Sequence, residues 1–446
     1  METRSAWGVV GGVILASAGM VAAAAEGGGY WPQWRGPTGN GVALAGNPPS
    51  SWSEQENVRW KVRVPGEGHA TPVVWADKVF VLTAEPVGGG EAGQRGEAAT
   101  VVGGRRQGRG NAPTEEYAFK TLCLDLKSGA VRWERVSRRE VPHEGRQESN
   151  THASASPITD GERLIAFFGS HGLFCYDMEG ELIWEKDLGD MRTRNGFGEG
   201  ATPALRDGVL VVLWDTEDES YVVAFEAASG REIWRREREE RTGWTTPYVQ
   251  AFGGREQVII NGTGAVRSYD LLSGDLLWQC SGQTANAIPA VVSDGERVYA
   301  MSGYRGNMAM AIRLGGEGDL TGTEHIVWSL GRGTPYVPSP LLADGLLVFC
   351  QRNDAMVTCV DALTGEVHYA QERVEGLSGV YASPVAVGDR IFLSAQNGAT
   401  AVLAKSKAFE LRGVNRLDEP INASPVVVGD VLLLRGSEHL YCIAED

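Results

Sequence analysis

Of the chain's 446 residues, 42% are hydrophobic and 22% charged, the balance of a folded core and not of a disordered chain. With 41 Lys and Arg against 57 Asp and Glu the net charge is −16, which argues against a general nucleic-acid partner. Walker and dinucleotide glycine loops, zinc spacings, a G-x-S-x-G elbow and a C-x-x-C-H haem site are all absent from the sequence.

Residues 1–25 read as a secretory signal. The apolar run WGVVGGVILASAGMVAAAA ends in Ala23-Ala24-Ala25 before Glu26. At about 19 residues it is also long enough for a single membrane anchor. The crowded small residues favour cleavage, and no Cys stands near its end for lipid attachment. The expectation is an exported protein, periplasmic or secreted, without a retained span. Residues 26–56 follow as an extended arm whose Gly and Pro preclude a regular element, with Trp31, Trp34 and Trp52 packing it onto the body. Asn57–Val64, NVRWKVRV, then reads as a strand carrying Trp60.

A repeated unit begins at Leu122–Trp133, LCLDLKSGAVRW: a strand, a tight turn at Ser128-Gly129, and a second strand. Ahead of it, residues 86–116 form a Gly- and Arg-rich insertion with almost no large apolar side chain, expected to be a disordered excursion between two strands. The unit recurs as an acidic residue, a turn Gly and an aromatic residue: Asp125/Gly129/Trp133, Asp177/Gly180/Trp184, Glu226/Gly230/Trp234, Asp270/Gly274/Trp278 and Asp361/Gly365/Tyr369. Trp60 and Trp328 take the aromatic slot in two further units. A period in the forties with several strands per unit indicates an all-β propeller.

Small residues followed by Pro mark the other end of each unit, at Pro72, Pro157, Pro203, Pro247, Pro289, Pro340, Pro384 and Pro425. These anchors give eight four-stranded antiparallel blades over residues 57–446, with the small residues on the innermost strands. The last anchor is followed by three strands' worth of chain and no outer strand. The segment Asn57–Val64 supplies one, so the N-terminal strand is expected to complete the last blade and remove the open edge.

Two groups are candidates for binding. If the units superpose, the residues three before each anchor Pro form a ring at one mouth of the channel, including His69, Trp244, Asn286, Tyr381 and Asn422, a mixture suited to a sugar, a peptide or a flat cofactor. The connection PHEGRQESNTHAS adds His143, Asn150 and His152 on one face, a weaker ligand or metal candidate. The acidic loop 215–219 lacks a calcium-hand pattern and reads as a solvated hairpin. Four of six cysteines, Cys123, Cys175, Cys359 and Cys442, share one position in four blades, which suggests small buried residues and not disulfides.

The unit Asp-x-x-(Ser/Thr)-Gly-x-x-x-Trp resembles the tryptophan-docking motif of the pyrroloquinoline-quinone (PQQ)-like repeat family, which includes BamB-like proteins and the quinoprotein alcohol dehydrogenase-like superfamily. The resemblance runs from about Asn57 to the end of the chain. It implies that Trp60, Trp133, Trp184, Trp234, Trp278 and Trp328 wedge between adjacent blades. It also implies either a non-catalytic envelope scaffold for a protein or small ligand, or a dehydrogenase of alcohols or sugars that uses PQQ and calcium. A polysaccharide-binding module is a third reading. The resemblance implies a vicinal Cys–Cys disulfide for the quinoprotein alcohol dehydrogenases, although not for every quinoprotein, and this chain has no adjacent Cys pair. No residue here matches a catalytic base or a calcium set, so the expectation is a scaffold with no catalytic residue and no assigned metal.

Overall fold

The computed structural model describes residues 29–88 and 112–445. The signal reading for 1–25 and most of the 86–116 insertion lie outside the described residues. Eight sheets stand around an axis, seven with their strands in chain order from the axis outward and the eighth with the N-terminal Val58–Arg63 outermost. Blade three is typical: Ala204–Arg206, Val209–Trp214, Ser220–Glu226 and Glu232–Arg238. Its second strand, VLVVLW, is buried at every position. Each blade is covered on both faces by its neighbours, so its central strands are continuously apolar and do not alternate. The core therefore lies between blades: Ile165 and Phe167 of blade two pack with Leu210, Val212, Val223 and Phe225 of blade three.

The acidic residue of the repeat caps its own turn. Asp125 Oδ1 accepts from the Lys127 and Ser128 amides, and Asp270 Oδ1 from those of Leu272 and Ser273. The turn Gly and the Trp of one unit are not partners. Each Trp lies on the turn Gly of the next blade: Trp60 on Gly129, Trp133 on Gly180, Trp184 on Gly230, Trp234 on Gly274 and Trp328 on Gly365. The indole N–H donates to a carbonyl of the same turn, at Leu126, Met178, Ala227, Leu271 and Ala362 respectively. Gly is required twice over. Its φ is +69 to +84°, and an added Cβ would stand 2.5–2.8 Å from the indole.

Trp278 departs from the pattern. Its N–H donates to Gln257 Oε1 of its own blade, 3.0 Å, and its ring packs with Leu314 and Leu320. Blade five has no tight turn Gly to receive it, because the 315–325 segment replaces that turn. Within this segment Gly318–Asp319 pairs parallel with Trp278–Gln279 and gives blade four a fifth strand. The outer strand of blade three, Glu232–Arg238, carries charge inward as well as outward. Arg238 turns inward, buried, to Asp215 at 2.8 Å and the Tyr269 hydroxyl at 2.8 Å.

The anchor hydroxyls form a belt around the axis. The Thr71 amide donates to Ser156 Oγ, Ser156 to Thr202, Thr202 to Thr246, Ala290 to Ser339, Ser339 to Ser383, Ser383 to Ser424, and Ser424 back to Thr71, all at 2.9–3.3 Å. The link from blade four to five is missing because Ala290 has no hydroxyl. This belt also corrects the register of blade five. Ala290 and Val291, and not Ile288 and Pro289, stand where the other blades carry Ser/Thr-Pro, and the inner strand begins at Val292.

The ring closes with Val58–Arg63 as the outer strand of the last blade, antiparallel to His439–Ile443. The arm is more ordered than its Gly and Pro content suggests. Tyr30–Trp31 pairs with Val74 and Trp75, and Val42 bridges Ala386. Trp31 and Trp52 are buried. The arm enters the channel from the far end and bonds to every blade but the third. The Pro32 carbonyl accepts from Thr159, the Asn40 amide exchanges bonds with the Ser293 backbone, and the Thr38 carbonyl accepts from Tyr248. Buried Arg35 donates to the carbonyls of Pro340 and Pro384, 2.9 and 3.1 Å, and Trp34 Nε1 to Ser424 Oγ, 3.2 Å.

All six cysteines are buried and free, and burial pushes their thiols up, to about 12 for Cys123 and to about 11 for Cys280.

Candidate functional site

Because the arm fills one end of the channel, the other mouth is a blind cavity of about 200 Å³. Trp34 lines its inner end, together with Thr71, Ser156, Thr202, Thr246 and Ser424 of the hydroxyl belt. His69, Trp244, Tyr381 and Asn422 line its wall, as does Asn150. Asn286 does not: the two-residue offset of blade five gives its slot to Ile288, and Asn286 Oδ1 accepts from Arg194 at 2.7 Å instead. Tyr336, Asn353 and Phe197 complete the wall and carry no anchor spacing.

His69 and Asn422 fix one another. Burial, and then the charges of Arg435 and Arg146, pull the His69 pKa down to about 3, so the imidazole is neutral. Its single N–H goes to the Ser149 backbone, which leaves Nε2 to accept from Asn422 Nδ2 at 3.0 Å. Among the described residues Asn422 Oδ1 is then buried without a partner. Asn150 is the opposite case. Its amide donates to the Phe197 and Glu199 carbonyls, and its oxygen accepts from Thr151 and Ser154, so it braces the wall. The Trp244 N–H is likewise spent on the Gly198 carbonyl at 2.7 Å, while its ring, 6.5 Å from Phe197, faces the cavity.

A second, much smaller hollow of about 30 Å³ lies beside the first and shares Ser154, Glu199, Gly200 and Trp244 with it. Here His143 and His152 meet His171, with ring centroids 6.0 and 6.1 Å from that of His171. His171 stacks on Phe119 at 4.1 Å and bonds to the Glu140 carboxylate. His143 Nε2 donates to the Met191 carbonyl, and burial lowers His152 to about 3. The Glu199 carboxyl accepts from the Ser170 amide at 2.7 Å, and burial raises its pKa. Among the described residues no three His, Cys, Asp or Glu are arranged to hold a metal. Nor is the acidic loop a solvated hairpin throughout: Asp215 is buried against Arg238, Glu217 accepts from Thr242, and Asp218 pairs with Arg192.

His171 and Glu199 had no signal in the sequence. His171 sits in the short 3-10 turn Gly169–His171 of blade two, remote from the connection that carries the other two histidines.

The family described as outer membrane protein assembly factor BamB matches residues 50–195 and 118–371, together more than half of the chain. No curated protein matches the sequence. Among solved structures, BamB from Moraxella catarrhalis is similar at a TM-score of 0.55 with 13% identity, over 86% of this chain and 98% of its own. A europium-containing methanol dehydrogenase reaches 0.61 with 9% identity, over 94% and 92%. Quinohemoprotein alcohol dehydrogenase from Comamonas testosteroni reaches 0.61 with 9% identity, over 96% and 85%. At these identities the likeness is one of fold.

The lining does not fit a PQQ–calcium pair. The quinone is a flat tricarboxylate and calls for cations, yet among the described residues no Lys or Arg lines the cavity. Arg146 is held by Glu67 and Arg194 by Asn286, and His69 is neutral. Among the described residues the one lining carboxyl, Glu199, is tied to Ser170. No cysteine lines the cavity.

Proposed function

The chain belongs to the PQQ-like repeat family described as outer membrane protein assembly factor BamB, and from that premise we propose that it is a non-catalytic scaffold of the cell envelope that holds a ligand or partner segment at the open channel mouth. The observation that carries this reading is the blind cavity itself: free of Lys and Arg among the described residues, walled by aromatic and amide side chains, and plugged from behind by the chain's own arm. The apolar run ending in Ala23-Ala24-Ala25 and the kinship with an outer-membrane assembly factor family support an exported protein. Among the described residues no helix is long and apolar enough to cross a membrane.

The test is a titration of the purified protein with PQQ and calcium, followed by a dye-linked assay of simple alcohols and aldoses. The expected result is neither saturable binding nor turnover. Calcium-dependent binding with oxidation would overturn the scaffold reading in favour of a quinone dehydrogenase.

A further inference from the structure

The chemistry of the mouth narrows the class of ligand. At the inner end of the cavity, the hydroxyls of Thr71, Ser156, Thr202, Thr246 and Ser424 each accept a backbone N–H from a neighbouring blade. Among the described residues none of these five hydroxyls donates to another protein group. A hydroxyl carries one proton to give, so the belt offers a ring of O–H donors to whatever fills the cavity. Asn422 Oδ1 adds the reverse, a buried acceptor with no donor among the described residues. Leaving such an atom unpaired is costly, and a ligand hydroxyl would satisfy it.

Around these polar groups stand the rings of Trp34, Phe197, Trp244, Tyr336 and Tyr381. Aromatic faces suit the C–H faces of a ring that is apolar above and below and polar at its edge. Charge favours a neutral ligand. With no lining cation and a buried carboxyl at Glu199, an anion is disfavoured, and with that carboxyl spent on Ser170 a cation gains little. A cavity of about 200 Å³ is on the scale of a single six-membered ring, since one of about 150 Å³ takes a benzene.

We infer that the cavity binds a neutral saccharide, one sugar ring deep, with the hydroxyl belt and Asn422 at its oxygens and the aromatic wall at its faces. This rests on the proposed role of the mouth as a binding site.

Titration of the full-length protein with neutral hexoses and their oligosaccharides, read by tryptophan fluorescence and ligand-detected NMR, tests it. The expected result is saturable binding in the micromolar-to-millimolar range, with the uronic-acid analogue of the best ligand at least tenfold weaker. Tyr381→Ala and Asn422→Leu should each weaken binding at least fivefold. Tyr381→Ala removes a side chain with no hydrogen bond to the protein among the described residues, so it remains informative if Asn422→Leu disturbs His69. Three outcomes would overturn the inference: no saturable saccharide binding, equal binding of the uronate, or binding indifferent to both substitutions. A peptide that binds and is lost on Tyr381→Ala, while sugars do not bind, would sink the saccharide and keep the mouth as a scaffold site. Calcium-dependent PQQ binding with turnover would sink both.

Discussion

At the scale of single residues, burial decides what the polar groups of the mouth are able to do. His69 and His152 are both held neutral, at about 3, well below the ordinary histidine value of about 6.5. The unfolded chain therefore binds more protons than the fold between those values. The stability associated with these groups is complete above about pH 6.5 and is lost as pH falls toward 3. Urea midpoints should be lower at pH 5 than at pH 7.5, and His69→Gln/His152→Gln should flatten that slope. An unchanged slope in the double variant would show that the two imidazoles are not buried neutral. Glu199, raised by burial, acts in the opposite direction but is common to both proteins, so the difference between them isolates the histidines. Half of this chemistry was legible in the sequence. Anchor spacing picked out His69, Trp244, Tyr381 and Asn422, because each sits at the same strand start. The same rule misplaced Asn286, since Pro289 comes two residues before the blade-five slot that Val291 occupies. Nothing in spacing pointed to His171, Tyr336 or Asn353, which reach their hollows from other loops.

At the scale of elements, the repeat is a handshake between neighbours. Its sequence pattern shows Gly and Trp in one unit, while the contact joins the Trp of one blade to the Gly of the next. Trp234→Ala should cost about 3–5 kcal/mol, as large aromatic truncations in cores do. Gly274→Ala should cost about 1–3 kcal/mol, since φ is +74° and the new Cβ would lie 2.5 Å from the Trp234 ring. A double-mutant cycle between Trp234 and Gly274 should give a coupling of about 1 kcal/mol or more. Additivity there, or a comparable coupling to Gly230 of Trp234's own unit, would contradict the pairing. The pattern could not reveal that Trp278 is an exception, because its own unit is intact. What changes is the next blade, where an eleven-residue excursion (315–325) replaces the receiving turn.

At the scale of the whole molecule, both the closure and the plug come from the same stretch of chain. Closure was readable, since NVRWKVRV is an outer strand with no blade of its own. The plug was not, because Gly and Pro conceal which backbone groups will find partners. Arg35 anchors it, binding blades six and seven at once, and its desolvation lowers its pKa to about 9. Arg35→Ala should lose on the order of 3 kcal/mol by leaving buried carbonyls unpaired. Thermal melts will show this as a large drop, and a melt within a degree of wild type would mean that the arm is dispensable. One consequence concerns the birth of the protein. Trp34 meets Ser424, a partner 390 positions away, and Val58–Arg63 waits for His439–Ile443. Until His439–Ile443 emerge, the growing polypeptide is an open arc with two bare strand edges, so ring formation waits on a distant pairing and is slow, and whatever escorts the nascent chain has to shield both edges together.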